Sequence, residues 1–148
     1  MTTTNPLRRL DHVAVAVADT DRALEYFTGR LGLEVVSTEE IETPKVRLTY
    51  LDAGSIFIQL VEPLDELSPV AKFIAAEGEG LHHIAFGVED VPGVAAELAE
   101  PGSPPVTVGS GRGRPSAFVP GDPRHGLRVE VTGFDHEADV VDRPGLIP

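Results

Sequence analysis

Four polar residues in this chain sit where apolar ones would be expected. His12 lies in LDHVAVAVAD (10–19), His83 in LHHIAFGVED (81–90), Gln59 in FIQLVEP and Glu130 in LRVEVTG. Each is embedded in a run of apolar, often β-branched residues of the kind that forms half-buried or buried strands. Burying one such residue without a partner costs about 2–7 kcal/mol, so each alone reads as a hydrogen-bonded core residue. Together they form a pattern, because the same 71 residues separate His12 from His83 and Gln59 from Glu130. Two imidazoles, an amide oxygen and a carboxylate make a borderline-to-hard donor set. Brought to one point, they suit one divalent metal ion with water in the remaining positions. The chain has no cysteine, which removes thiolate ligands, disulfides and cysteine nucleophiles and leaves Co, Zn, Ni, Mn or Mg as candidate ions.

The same offset organises the rest of the chain. Leu10, Ala14, Val17 and Asp19 match Leu81, Ala85, Val88 and Asp90. An internal repeat of this kind fixes architecture. It predicts an α+β fold of two tandem βαβββ modules, at about 9–68 and 80–134, forming a curved mixed sheet around a metal-binding cavity. A connector helix is expected over 68–78, started by Ser68-Pro69 and ended by Gly78. In the first module strands are expected at 10–17, 33–38, 46–52 and 55–62. A helix capped by Asp19 or Thr20 should bury Ala23, Leu24, Phe27 and Leu31 and stop at Gly32. In the second, strands are expected at 82–88, 105–108, 115–119 and 126–132. A short helix there starts at Asp90 and buries Val91, Val94, Ala95 and Leu98. Residues 1–8 and 135–148 read as polar tails.

Strand alternation chooses between the adjacent histidines. His83 is in register with His12 and shares a face with Leu81, Ala85 and Gly87. His82 falls on the opposite face with Ile84, Phe86 and Val88 and reads as a structural or edge residue. By the same rule Asp11 faces away from His12.

The 148 residues carry a formal charge of −12 and no long basic run, which argues against nucleic-acid binding. No apolar stretch reaches membrane-spanning length, and the N-terminus lacks an apolar secretory core. The expectation is a cytoplasmic protein with a small-molecule substrate.

The stretches LDHVAVAVAD, ALEYFTGRLGLEVV, IQLVEPLDELSPVAKFI and EGEGLHHIAFGVEDV resemble the vicinal oxygen chelate (glyoxalase/bleomycin-resistance/dioxygenase) superfamily. Within it they are similar to methylmalonyl-CoA epimerases, over roughly residues 10–132. The resemblance implies one divalent metal held by His12, Gln59, His83 and Glu130, and an acyl-CoA thioester whose two oxygens chelate it. It implies Lewis-acid stabilisation of an enolate formed by α-proton removal, and commonly a homodimer. Epimerisation requires proton transfer on both faces of the carbanion. The resemblance assigns one transfer to Glu130, and the other to a glutamate where this chain has Leu48. Glu42, or else Glu39 or Glu40, is the expected substitute. A second departure is VPGDPRHGL (119–127), which replaces the lysine-containing HPK segment of the epimerases. An acidic protein that binds CoA must still offer local cations. Arg112, Arg114, Lys45 and Arg47 are the substrate-binding candidates, with Arg124 and His125 beside them. The alternatives on the same fold are a glyoxalase-I-like lyase or isomerase, a dioxygenase, or a metal-free binding protein.

Overall fold

The computed structural model describes residues 7, 9–102, 106–108 and 111–133. The expected tails fall almost wholly outside these. Eight strands form one mixed sheet, in the order β2-β3-β4-β1-β5-β8-β7-β6. They are β1 (Arg9–Ala16), β2 (Glu34–Ile41), β3 (Val46–Asp52), β4 (Phe57–Pro63), β5 (Gly80–Val88), β6 (Val106–Val108), β7 (Ser116–Val119) and β8 (Val129–Gly133). Outward from the central β1–β5 pair, the two halves have the same strand order. β1 pairs with β4 in parallel and β5 with β8 in parallel, and all other pairs are antiparallel. The register is also duplicated: Ala14 lies opposite Gln59 and Ala85 opposite Glu130.

Among the described residues, three α-helices flank the sheet. α1 (Thr20–Phe27) and α3 (Val91–Leu98) are repeat equivalents, and α2 (Pro69–Glu77) is the connector. Asp19, Ser68 and Asp90 each accept a backbone N–H of the first turn, satisfying donors the helix itself leaves orphaned. Beneath α1 lie Val17, Leu51 and Leu60, and beneath α3 lie Ala117 and Val131. The other sheet face is lined by Ala14, Ala16, Val46, Leu48, Tyr50, Phe57 and Val61, with Val70 and Phe73 of α2 at its edge. None of the described helices is long and apolar enough to cross a membrane.

Two helical expectations need correction. α1 ends at Phe27, four residues before Leu31, which is half exposed, because Thr28–Arg30 already turn back on the last carbonyls. In α3, Leu98 is exposed at the final position, while Val91, Val94 and Ala95 pack on Val88, Ala117 and Val131 of the sheet.

Candidate metal centre

The central strands set the site. In β1, alternation turns His12, Ala14 and Ala16 toward the concave face, and all three are buried. In β5, His83, Ala85 and Gly87 are buried likewise. The small neighbours leave space in front of each imidazole. The parallel partners then bring Gln59 and Glu130 alongside, both buried.

Pairing between β1 and β5 is interrupted twice. Leu10 and His12 lie opposite Phe86 and Ala85, so Asp11 is an extra residue. Ala14 and Val15 lie opposite His83 and Leu81, so His82 is an extra residue on the other strand. A bulge re-aims the side chain it inserts. Asp11 is therefore not on the outer face as alternation predicts. It is fully buried, and its Oδ2 accepts from His12 Nδ1 at 2.7 Å. His82 is likewise no edge residue. Its Nδ1 is 2.8 Å from His83 Nδ1, and its ring packs on Phe73 and Phe118. Asp11 and His82 are themselves 71 residues apart, a signal present in the sequence that alternation overrode.

The ligand atoms of His12, His83 and Glu130 lie within 4.8 Å of one another. Each histidine's Nε2 stands 3.4 Å from Glu130 Oε1, and neither has a hydrogen-bond partner among the described residues. Two buried imidazole nitrogens aimed at one carboxylate and left unsatisfied fit a cation between them. Gln59 donates its Nε2 to Tyr50 Oη at 2.8 Å, leaving its carbonyl oxygen as the atom it can offer a cation. The residues present thus fit the expected divalent ion.

The charges are mutually supporting. Burial would raise the Glu130 carboxyl, but the two imidazoles hold it down at about 2. Burial would likewise raise Asp11, yet the His12 hydrogen bond and the Arg112 charge keep it below its ordinary value. Burial opposes protonation of His12, but Asp11 and Glu130 outweigh it and raise its pKa. His82 has no carboxylate of its own. Burial, then the neighbouring His83 and Arg128, push it down to about 4, so it is neutral near pH 7.

These groups open into a cavity of about 470 Å³. Ile41, Val46, Leu48, Val61, Val70 and Phe118 give it an apolar wall, with Tyr50, His82 and Gly111 around the donors. A second cleft of about 590 Å³ shares Pro69, His82 and Phe118 with it, and carries Lys72 and Arg128. Arg128 lies over Phe73 and 3.5 Å from Glu77.

Several expected residues lie elsewhere. Glu42 is exposed in the turn after β2 and does not line the cavity, because the strand has ended before its side chain can turn inward. Glu40 pairs with Arg47, and Glu39 accepts the backbone N–H of Arg112. Arg47 is spent on Glu62 and Glu40. Arg114 reaches the Gly133 carbonyl, and Lys45 is exposed outside the cavity. Arg124 closes on Asp122, two residues before it, with His125 3.9 Å from the same carboxylate. Arg112 points inward to Asp11 at 2.6 Å. Among the described residues, the cations that line the adjoining cleft are Lys72 and Arg128, which no repeat or motif distinguished.

Residues 11–119 match the glyoxalase/bleomycin resistance protein/dioxygenase superfamily, and the chain belongs to it. Within that superfamily it is similar to methylmalonyl-CoA epimerases. It is 32% identical over 130 residues to the ethylmalonyl-CoA/methylmalonyl-CoA epimerase of Cereibacter sphaeroides, covering 83% of this chain and 96% of that one. A variant Streptomyces coelicolor methylmalonyl-CoA epimerase, solved in complex with 2-nitronate-propionyl-CoA, is 34% identical with a TM-score of 0.78. That match covers 86% of this chain and 97% of the other. The uncharacterized Bacillus subtilis protein YqjC is 41% identical over 80 residues, 54% of this chain and 57% of its own length.

Proposed function

We propose that the chain is a divalent-metal-dependent epimerase of a methylmalonyl-CoA-like thioester, with His12, Gln59, His83 and Glu130 as the metal ligands. One observation carries this reading: two unpartnered imidazole nitrogens converge with a single ionised carboxylate at the base of an apolar cavity. Similarity to epimerases over most of the chain supports it. A divalent cation there supplies Lewis-acid stabilisation of negative charge developing on a substrate oxygen.

The chain's own residues do the rest. The four donors carry one negative charge between them, so a bound dication presents net positive charge to the cavity. That suits a substrate offering anionic oxygens. Glu130, ionised at rest, is placed to accept the α-proton on one face. The apolar wall excludes water and accommodates the short alkyl branch. Leu48 supplies no proton carrier on the opposite side. Tyr50, two residues along the same face of β3, puts a hydroxyl in that wall. We assign it proton return on the second face, with Gln59 fixing its orientation. The adjoining cleft takes the pantetheine arm, with Lys72 and Arg128 toward the phosphates of the CoA nucleotide.

The test is deuterium wash-in. Metal-loaded protein is incubated with methylmalonyl-CoA in D₂O, and α-deuteration and stereochemistry are followed beside a His83→Ala control. Exchange with inversion, lost in the control, is expected. Exchange without inversion would define a one-sided enolising site. No exchange with metal bound would remove the methylmalonyl-CoA assignment and redirect attention to glyoxalase-type and dioxygenase substrates.

A further inference from the structure

Behind the metal ligands of the first half lies a side chain from the second. We propose that Arg112 is a positioning residue for the metal centre: its guanidinium fixes Asp11 so that His12 donates Nδ1–H backward and presents Nε2 to the cation. The proposal rests on the metal reading given under "Proposed function" and adds a residue to it.

Asp11 Oδ2 is held from two sides, by His12 Nδ1 at 2.7 Å and by Arg112 at 2.6 Å. A fully buried carboxylate needs such a counter-charge, because desolvation otherwise opposes it strongly. A carboxylate behind a ligating histidine fixes the tautomer and strengthens the ligand. What is unusual is how firmly the guanidinium itself is held. Arg112 touches every strand of the first half. It pairs with Asp11 on β1, and its backbone N–H donates to the Glu39 carboxylate on β2 at 2.9 Å. Its guanidinium carbon lies 4.7 Å from the centre of the Tyr50 ring on β3 and 5.2 Å from that of Phe57 on β4.

The backbone is committed to this arrangement. Arg112 has φ 58°, a left-handed conformation that costs a side-chain-bearing residue energy and persists only where its surroundings enforce it. The preceding Gly111 packs against Tyr50, and a β-carbon there would run into the hydroxyl. Behind His83 stands the neutral ring of His82 instead, so this device belongs to the first half alone.

The test uses the full-length protein and two readouts. Co(II) affinity is measured by titrating the visible absorption of the bound ion. The His12 tautomer is read from ¹⁵N imidazole NMR of the metal-free protein, at a pH above the raised His12 pKa so that the ring is neutral. Arg112→Gly removes the guanidinium while easing the left-handed backbone, so loop strain does not explain a loss. Arg112→Lys keeps the charge but not the planar fork or its stacking. The expected result is Co(II) binding weakened about 10–100-fold in Arg112→Gly, with Arg112→Lys between it and the wild type. The single Nδ1–H tautomer of His12 should be lost in the glycine variant. A wild-type Co(II) affinity together with an unchanged tautomer would overturn the proposal. If Arg112→Gly does not fold cooperatively, Arg112→Lys decides by the same criteria. If the wild type itself takes up no Co(II), the metal reading fails separately, and the imidazole spectrum alone decides on Arg112.

Discussion

The two halves of the sheet place the same kinds of atoms at equivalent positions and charge them differently. In the first half the anion stands behind the ligand: Asp11 backs His12, and the strand alongside offers neutral Gln59. In the second the anion stands in front: Glu130 faces the site, and neutral His82 backs His83. The next strand out repeats the asymmetry, with the Tyr50 hydroxyl opposite Gln59 and the apolar Phe118 opposite Glu130. The duplicated backbone therefore provides a symmetric cradle, and the side chains give it a basic side and a neutral side.

Exchanging these features between halves tests the comparison, and the largest effect should come from the anion in front. Glu130→Gln makes the second half neutral like the first, and α-proton exchange should fall about 10²–10⁴-fold in D₂O wash-in. Tyr50→Phe makes the first half resemble the second. It should retain exchange but lose inversion, and inversion at the wild-type rate would remove Tyr50 from the mechanism.

The anion behind the ligand comes next. Asp11→Asn leaves the Arg112 charge buried without its partner, and should destabilise the metal-free protein by about 3–5 kcal/mol in denaturant unfolding. His82→Phe, between Phe73 and Phe118, should cost much less at pH 7. Making the fronts alike with Gln59→Glu cancels the net positive charge of the loaded site. KM for an anionic thioester should rise roughly tenfold, a modest share of the about 4 kcal/mol between unit charges 4 Å apart at an effective dielectric near 20.

Acid should separate the halves further. His82 titrates near 4 in the fold, against 6.5 ordinarily. Between those values the unfolded chain binds the proton and the folded one does not, so stability falls as pH drops from about 6.5 toward 4. His82→Phe should flatten that slope in metal-free thermal unfolding, because the group that titrates in that window is gone, whereas the raised pKa of His12 acts above about 6.5, where stability falls as pH rises. The smallest effect is at the rim. Lys72→Glu should raise KM for a CoA thioester a few-fold at low salt, with little change for a truncated thioester lacking phosphates.

Much of this was legible before folding. The 71-residue offset set out the two halves, and polar residues within apolar strands marked His12, Gln59, His83 and Glu130. Capping residues located the starts of all three helices, since a cap is a local hydrogen bond that neighbours in sequence can satisfy. Asp11 and His82 were misplaced because strict alternation assumes an uninterrupted ladder. Each bulge depends on the partner strand, which local sequence does not specify. Arg112 and Arg114 read as substrate-binding candidates because a glycine-rich basic loop looks alike whether it meets an anionic ligand, as expected, or a buried aspartate and a backbone carbonyl, as found.

The sequence by itself determined the duplicated strand pattern, the helix caps and the four polar residues that line the cavity, because hydrophobic periodicity and local hydrogen bonding are short-range properties. Only the tertiary structure decided which residues stand behind His12 and His83, where the guanidinium of Arg112 goes, that Glu42 remains outside and that Lys72 and Arg128 line the adjoining cleft. Those depend on bulges, loop docking and desolvation across the two halves, where residues about 100 positions apart compete for one buried charge.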